Sequence, residues 1–178
     1  MRIISGKHKG KRLSAPKKLP VRPTTDFAKE ALFNILNNHF HFADIAVIDL
    51  FSGTGNISFE FASRGASQIT AVDQDADCIK YINKISDELD FGIQTIKSDV
   101  FGYLEKTRQK ANLIFADPPY TFTAEELEKI VSAVFEKELL YEGGMLIIEH
   151  SKHVDLKSLK HFSEARKYGG NVFSFFSV

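Results

Sequence analysis

The sequence predicts an α/β fold: a largely parallel sheet with helices on both faces and an antiparallel strand near one edge. Three observations predict it. From residue 45 onward, short apolar runs suited to strands alternate with segments of helical periodicity. The runs are apolar almost throughout, as strands buried on both faces must be. The last two such segments flank Gly169–Gly170 and read as a closing hairpin, which brings antiparallel pairing to one end of the sheet. Five strands and the two of the hairpin make seven.

In chain order, "RIISG" and "GKRLSAP" read as two short strands around a Gly/Lys/His turn, a basic hairpin. "RPTTDFAKEALFNIL" predicts a helix. Pro23 disfavours helix at the residue before it, Thr24 or Thr25 can cap, and Phe27, Ala31, Leu32 and Ile35 share a face. "IAVIDLF" is the first buried strand, "GNISFEFASRG" a helix closed by Gly65, and "QITAVD" the second strand. The next helix carries Ile79, Ile82, Ile85 and Leu89 and stops before Gly92. "IQTIKSD" and "NLIFAD" are the third and fourth strands. Thr123 and Glu126 make a capping box for a long helix bearing Leu127, Ile130, Val131 and Val134. "GGMLIIEH" is the fifth strand, and a short helical piece near Leu156 precedes the hairpin. The aromatic tail "VFSFFSV" alternates as a packed strand should, so it reads as core.

At 178 residues and 43% hydrophobic, the chain has the size of one domain with a proper core. Its one cysteine, Cys78, allows no intramolecular disulfide and suits a reducing cytoplasm; it reads as a small buried residue on a helix. Without a second cysteine or a His/Cys cluster, no metal site is expected. The first residues lack the apolar stretch of about 7–15 residues that a signal peptide needs. No run approaches the ~20 apolar residues of a membrane span, so no membrane is expected as a partner. Net charge is zero, but residues 1–22 hold eight Lys/Arg and no acid, leaving 15 basic and 23 acidic side chains in the rest. An acidic body with a basic arm suggests an enzyme whose arm meets a polyanion; a solvated lysine-rich segment is the alternative.

Open α/β sheets bind ligands beyond the carboxyl ends of their strands, where strand order reverses. The first strand ends there in "DLFSGTGNIS", in which Gly53 and Gly55 permit a tight turn and a close approach of backbone to ligand. A dinucleotide fingerprint would need a third glycine where Ser58 stands. Asp73 ends the second strand 20 residues beyond Gly53, where a carboxylate can accept from both ribose hydroxyls. Asp99 ends the third, near where an adenine amine could be met. Any one acid at a strand end can be explained by solvent or capping. Acids ending four strands together (Asp49, Asp73, Asp99, Asp117) are poorly explained that way.

At the end of the fourth strand stands "ADPPY". Pro118 and Pro119 have no N–H, fix φ near −65° and hold the preceding residues extended. The turn is therefore rigid and offers acceptors only, the Asp117 carboxylate and the Pro118 carbonyl. Two acceptors suit an N–H₂ group such as the exocyclic amine of a base. Tyr120 adds a flat surface for that base, a stack worth ~1–3 kcal/mol.

These residues resemble the class I S-adenosylmethionine-dependent methyltransferases, with "DLFSGTG", "VDQD", "SDVF" and "DPPY" as ordered motifs. D-P-P-Y marks the branch that methylates amino nitrogens. "RIISGKHKGKRL" followed by "RPTTDFAKEALFNIL" is similar to the opening of the RsmD-type family of 16S rRNA guanine-N2 methyltransferases. The resemblance covers essentially the whole chain. It implies a Rossmann-like class I sheet, S-adenosylmethionine as cofactor, and N2-methylguanine in small-subunit rRNA as product, at the nucleotide customarily numbered 966. The substrate implied is the assembled or partly assembled subunit. A cytoplasmic monomer is expected. One methyltransferase domain over 1–178 follows, with a basic hairpin extension (1–22), an N-terminal helix (23–40) and a catalytic core (41–178).

Carried over by position, Asp49, Phe51, Gly53, Gly55, Asp73, Gln74, Asp99 and Val100 would hold the cofactor. Asp117, Pro118, Pro119 and Tyr120 would hold the guanine as the catalytic set. Arg22 and Thr24 would lie over the cofactor or target pocket, and Lys7, Lys9, Lys11 and Arg12 of the hairpin would grip rRNA. Asp73 stands where relatives often have Glu, and the shorter acid still reaches a ribose diol. Ser58 breaks the dinucleotide pattern but not the methyltransferase one.

Other readings stay open at this stage. A DNA adenine-N6 methyltransferase shares the D-P-P-Y logic but usually needs a sizeable target-recognition domain. Another RNA amino-nitrogen methyltransferase fits, because the motif reads an amine and not a whole base. A nucleic-acid-binding scaffold without activity would have no need of Asp117, Gly53 and Gly55. A dehydrogenase gives D-P-P-Y no role.

Overall fold

A computed structural model describes residues 1–16 and 24–177. Thr25 caps α1 (Asp26–Leu36), its hydroxyl accepting from Ala28 N–H at 3.2 Å. The alternating units follow: β1 (Ala46–Asp49), α2 (Asn56–Ser63), β2 (Gln68–Asp73), α3 (Ala76–Leu89), β3 (Gln94–Lys97), α4 (Val100–Lys106) and β4 (Ala111–Ala116). Then come α5 (Ala124–Glu136), with its capping box formed by Thr123 and Glu126, and β5 (Leu140–Ser151). The hairpin β6 (Phe162–Tyr168) and β7 (Asn171–Ser177) closes the fold.

The seven strands lie in the order β3-β2-β1-β4-β5-β7-β6. β1 runs parallel to both β2 and β4, β2 to β3, and β4 to β5. β7 alone is reversed, antiparallel to β5 on one side and β6 on the other. This is the class I methyltransferase sheet. From β1 the chain winds outward to β3 and then returns to β4, so the switch point lies over the carboxyl ends of β1 and β4.

Side chains alternate across the sheet and build one core on each face. Val47, Leu113, Phe115 and Ile147 pack with α1, α2 and α3, whereas Ile48, Ile114, Leu146 and Ile148 pack with α4 and α5. The tail behaves as core: Val172 through Phe176 are all buried.

The N-terminal segment is a hairpin held by the single bridge Arg2↔Arg12, rather than by two regular strands. Ile3 N–H donates to Lys11 O and Leu13 N–H to Met1 O, each at 2.9 Å, while the Ile3 and Leu13 side chains are buried beneath. Its tip docks on the carboxyl end of α2. There Lys7 N–H donates to Ser63 O (2.7 Å), His8 N–H to Ser63 Oγ (3.0 Å), and Ser63 Oγ to Ser5 O (2.7 Å). Gly6 makes this approach at φ +84°, and a Cβ there would stand 1.8 Å from Ser63 O.

Three expectations need correction. The buried face of α1 is Ala28, Leu32, Phe33 and Leu36; of the expected Phe27, Ala31, Leu32 and Ile35, only Leu32 is buried. The two stripes are neighbours on the helix and of equal bulk, so the packing of the helix on the sheet decides between them; Phe27 is left 69% exposed against Tyr168. The segment around Leu156 is a run of turns with Leu156 buried, not a short helix. β5 starts before "GGMLIIEH", at Leu140, where the β4–β5 pairing is interrupted by a register shift. The sequence reading also passed over α4, a seven-residue helix capped by Asp99.

Candidate active site

At the switch point lies a cleft of about 860 Å³, within the size range of small-molecule sites. Its first wall is the loop after β1. Gly53 (φ +51°) donates its N–H to Asp73 Oδ2 at 2.7 Å, and Asp75 N–H reaches Asp73 Oδ1 at 2.8 Å. Each of these oxygens retains a second lone pair for a ligand hydroxyl. Gly55 (φ +82°) stands behind this wall, where a Cβ would come within 2.9 Å of the Phe59 ring. Its glycine is thus required by backbone conformation and packing.

Asp49 forms part of the cleft floor and is fully buried. Burial lifts its carboxyl to about 7, opposed by the hydrogen bond from Ser58 Oγ (2.7 Å) and reinforced by the nearby Asp73 charge. Ser58, noted in the sequence only as a missing glycine, is therefore what pins α2 to the end of β1. Phe51, Gln74 and Val100 line the cleft as well. Asp99 lines it too while capping α4 through Gly102 N–H at 2.9 Å. Cys78 lies on the same side with its thiol pushed up to about 12, by burial first and then by Asp73, Asp75 and Asp77. It stays protonated and is no nucleophile.

Across the cleft stand Asp117, Pro118, Pro119 and Tyr120. Asp117 is half-buried, Pro118 buried and Tyr120 46% exposed. Pro119 O accepts from Phe122 N–H at 2.9 Å, which closes the turn. The Phe122 ring meets Phe51 edge-on at 5.4 Å and lies parallel to Phe101 at 6.2 Å, making an aromatic side to the cleft.

Thr24 also lines the cleft. Lys7, Lys9, Lys11 and Arg12 are exposed on the hairpin, outside the cleft lining. Arg22 lies outside the described residues, as do Lys17 and Lys18. Among the cleft residues missed from sequence are Glu149 and Asn171. Tyr120 Oη donates to Asn171 Oδ1 (2.8 Å), Asn171 Nδ2 to Glu149 Oε1 (2.5 Å), and Thr24 Oγ1 to Glu149 Oε2 (2.9 Å). The one signal for Glu149 was an acid closing the apolar run "MLIIE". Among the described residues, no helix is long and apolar enough to cross a membrane. Nor does any group of three or more His, Cys, Asp or Glu form a potential metal site among them.

Residues 1–177 match the family described as Conserved hypothetical protein 95, in which RsmD-type methyltransferases fall. The chain belongs to the RsmD-type methyltransferase family. A Bacillus subtilis (strain 168) protein described as a candidate rRNA methyltransferase, YlbH, is 33% identical over 161 residues, 88% of this chain and 85% of that one. Ribosomal RNA small subunit methyltransferase D of Escherichia coli (strain K12) is 29% identical over 150 residues, 84% of this chain and 74% of its own. Among solved structures, the Thermus thermophilus 16S rRNA N2 G1207 methyltransferase, in complex with AdoMet and guanosine, superposes with a TM-score of 0.71 at 19% identity, over 89% of this chain and 45% of that one. That likeness is one of fold.

The cofactor of this RsmD-type chain is S-adenosylmethionine, and the cleft suits it. A glycine without a side chain opens the β1 loop, an acid stands at the end of β2, and aromatic rings line one side.

Proposed function

We propose that this enzyme methylates the exocyclic N2 of guanine in small-subunit 16S rRNA, at nucleotide 966, acting as a cytoplasmic monomer on assembled or partly assembled subunits. The observation that carries the proposal is one cleft shared by two walls, Gly53 and Asp73 on one side and Asp117 to Tyr120 on the other. The names of the B. subtilis and E. coli relatives support ribosomal RNA as the substrate. The guanosine in the complexed Thermus enzyme supports the base. The exposed basic hairpin supports a grip on RNA.

In this reading, S-adenosylmethionine supplies an electrophilic methyl group. Gly53 and Asp73 hold the ribose side of the cofactor, and Asp99 and Val100 the base side. The target guanine must leave its stack or come from an unpaired loop, at a cost of a few kcal/mol. Tyr120 offers it a face to lie on. The Asp117 carboxylate and the Pro118 carbonyl then accept from the two amine hydrogens. That grip favours the pyramidal nitrogen whose lone pair is free of the ring. Most of the acceleration is positioning, with Asp117 also stabilising the positive charge that develops on nitrogen. Asp117 need not be a strong base, because the methylated nitrogen loses its proton readily.

The test is transfer of radiolabelled methyl from S-adenosylmethionine to small subunits lacking the modification, followed by nucleoside analysis of the rRNA. Label in N2-methylguanine is expected. Label in another nucleoside would keep the amine chemistry and overturn the base. No label, with the cofactor bound, would overturn the substrate.

A further inference from the structure

A polar chain, mostly buried, runs from the cleft to the hairpin, and beyond the Tyr120 ring methyl transfer as set out above leaves it without a role. It begins with the Tyr120–Asn171–Glu149–Thr24 bonds already described. From Thr24 O it continues to Asn56 Nδ2 (3.1 Å), and Asn56 Oδ1 accepts from Lys29 Nζ (2.9 Å). Lys29 also donates to Arg2 O of the hairpin (2.6 Å) and stands 3.3 Å from Glu60 Oε2. Glu60 accepts the backbone N–H of Ile4 (2.8 Å) and Ser5 (3.0 Å), and Arg64 Nε at 2.8 Å.

Three of the charged members are almost wholly removed from solvent: Glu149 is 2% exposed, Lys29 1% and Glu60 0%. Packed apolar side chains could stabilise these positions equally well, since desolvation cancels much of what a buried ion pair gains. What a fully bonded polar chain adds is a unique geometry. Its end inside the cleft is Tyr120, a half-exposed ring on a turn, whose plane depends on rotations that a surface side chain makes freely. Asn171 holds that ring by its hydroxyl. Glu149, at the end of β5, holds Asn171 and Thr24 together.

We infer that Asn171 and Glu149 are positioning residues for Tyr120. They fix the plane of the wall on which the target base stacks. The same chain keeps that wall in register with the N-terminal hairpin. The inference rests on Tyr120 as the stacking surface of the proposed reaction.

A double-mutant cycle tests it, using Tyr120→Phe, Asn171→Ala and the two combined, with kcat and KM for the RNA and cofactor affinity measured for each. Tyr120→Phe keeps the ring and removes the tether. Each single change should lower kcat/KM about three- to tenfold, the size of one hydrogen bond. The double variant should fall no further, and cofactor affinity should stay unchanged in all three. Multiplying losses would overturn the inference, because Asn171 would then act on RNA independently of Tyr120.

A second readout needs no activity, so failure of the proposed reaction is told apart from failure of the tether. The protein has five tyrosines, and the ring NMR signal lost in Tyr120→Phe identifies Tyr120. Asn171→Ala should shift that signal in the free protein while Tyr81, Tyr103 and Tyr141 stay in place. Thr24→Val removes one donor from Glu149 at nearly constant volume and should move the same signal, and Thr24→Ser should restore it. A Tyr120 signal indifferent to Asn171→Ala would overturn the positioning role.

Discussion

Asp117 and Asp49 are acids at the ends of neighbouring strands, yet their settings set them to different work. Asp117 is half-buried on the open side of the cleft, whereas Asp49 lies on its floor. On the proposed roles, Asp117→Ala leaves cofactor affinity within a few-fold and abolishes turnover. Equal loss of both, read by calorimetry beside the methyl-transfer assay, would refute that division. For Asp49, burial has raised the folded carboxyl to about 7, above its unfolded value. The folded state therefore binds the proton more tightly, and this group's contribution to stability falls as pH rises from about 4 to about 7, then levels off. Asp49→Asn cannot ionise, so its melting temperature should gain on wild type between pH 5 and pH 8. A constant difference would mean that Asp49 is charged throughout. D-P-P-Y was legible in the sequence because its chemistry is local: prolines remove donors wherever they stand. Glu149, Asn171 and Lys29 were not, since a polar residue in an apolar stretch does not say which distant groups will meet it.

Elements were legible to the extent that their signals were local. The Thr123–Glu126 capping box, the Gly65 stop and the Gly169–Gly170 hairpin all lie where the sequence put them. The buried stripe of α1 was misread by one residue, because a 3.6-residue period offers two adjacent stripes and only the neighbouring sheet chooses between them. α4 went unseen since seven residues hold too few apolar positions to establish a period. The hairpin yields a sharper expectation than its weak strand pairing suggests. At Gly6 both φ and the 1.8 Å approach of Ser63 O forbid a side chain. Gly6→Ala should lift the tip from α2 and raise hydrogen exchange at Lys7 and His8, while the β1, β4 and β5 amides keep their protection. Loss of protection throughout the sheet would show that the hairpin is part of the global folding unit.

For the molecule as a whole, the charge asymmetry of the sequence has become a spatial one. Lys7, Lys9, Lys11 and Arg12 stand exposed on an extension, while the acids Asp49, Asp73, Asp99 and Asp117 gather around the cleft. Replacing Lys9, Lys11 and Arg12 by neutral residues should weaken RNA binding and lower the slope of log affinity against log salt by about two, at ~0.7 per phosphate on a single strand. An unchanged slope would remove the hairpin from the RNA interface. The spacing of the two regions has its own consequence. The hairpin tip sits on Ser63 at one end of α2, and Asn56 reaches the cleft at the other. Seven residue steps of helix separate them by about 10 Å. At ~3.4 Å per stacked nucleotide, that is a gauge of about three nucleotides built from protein. A single nucleoside could fill the base site and still lie out of reach of the tip, so the shortest good substrate should be set by the length of one helix.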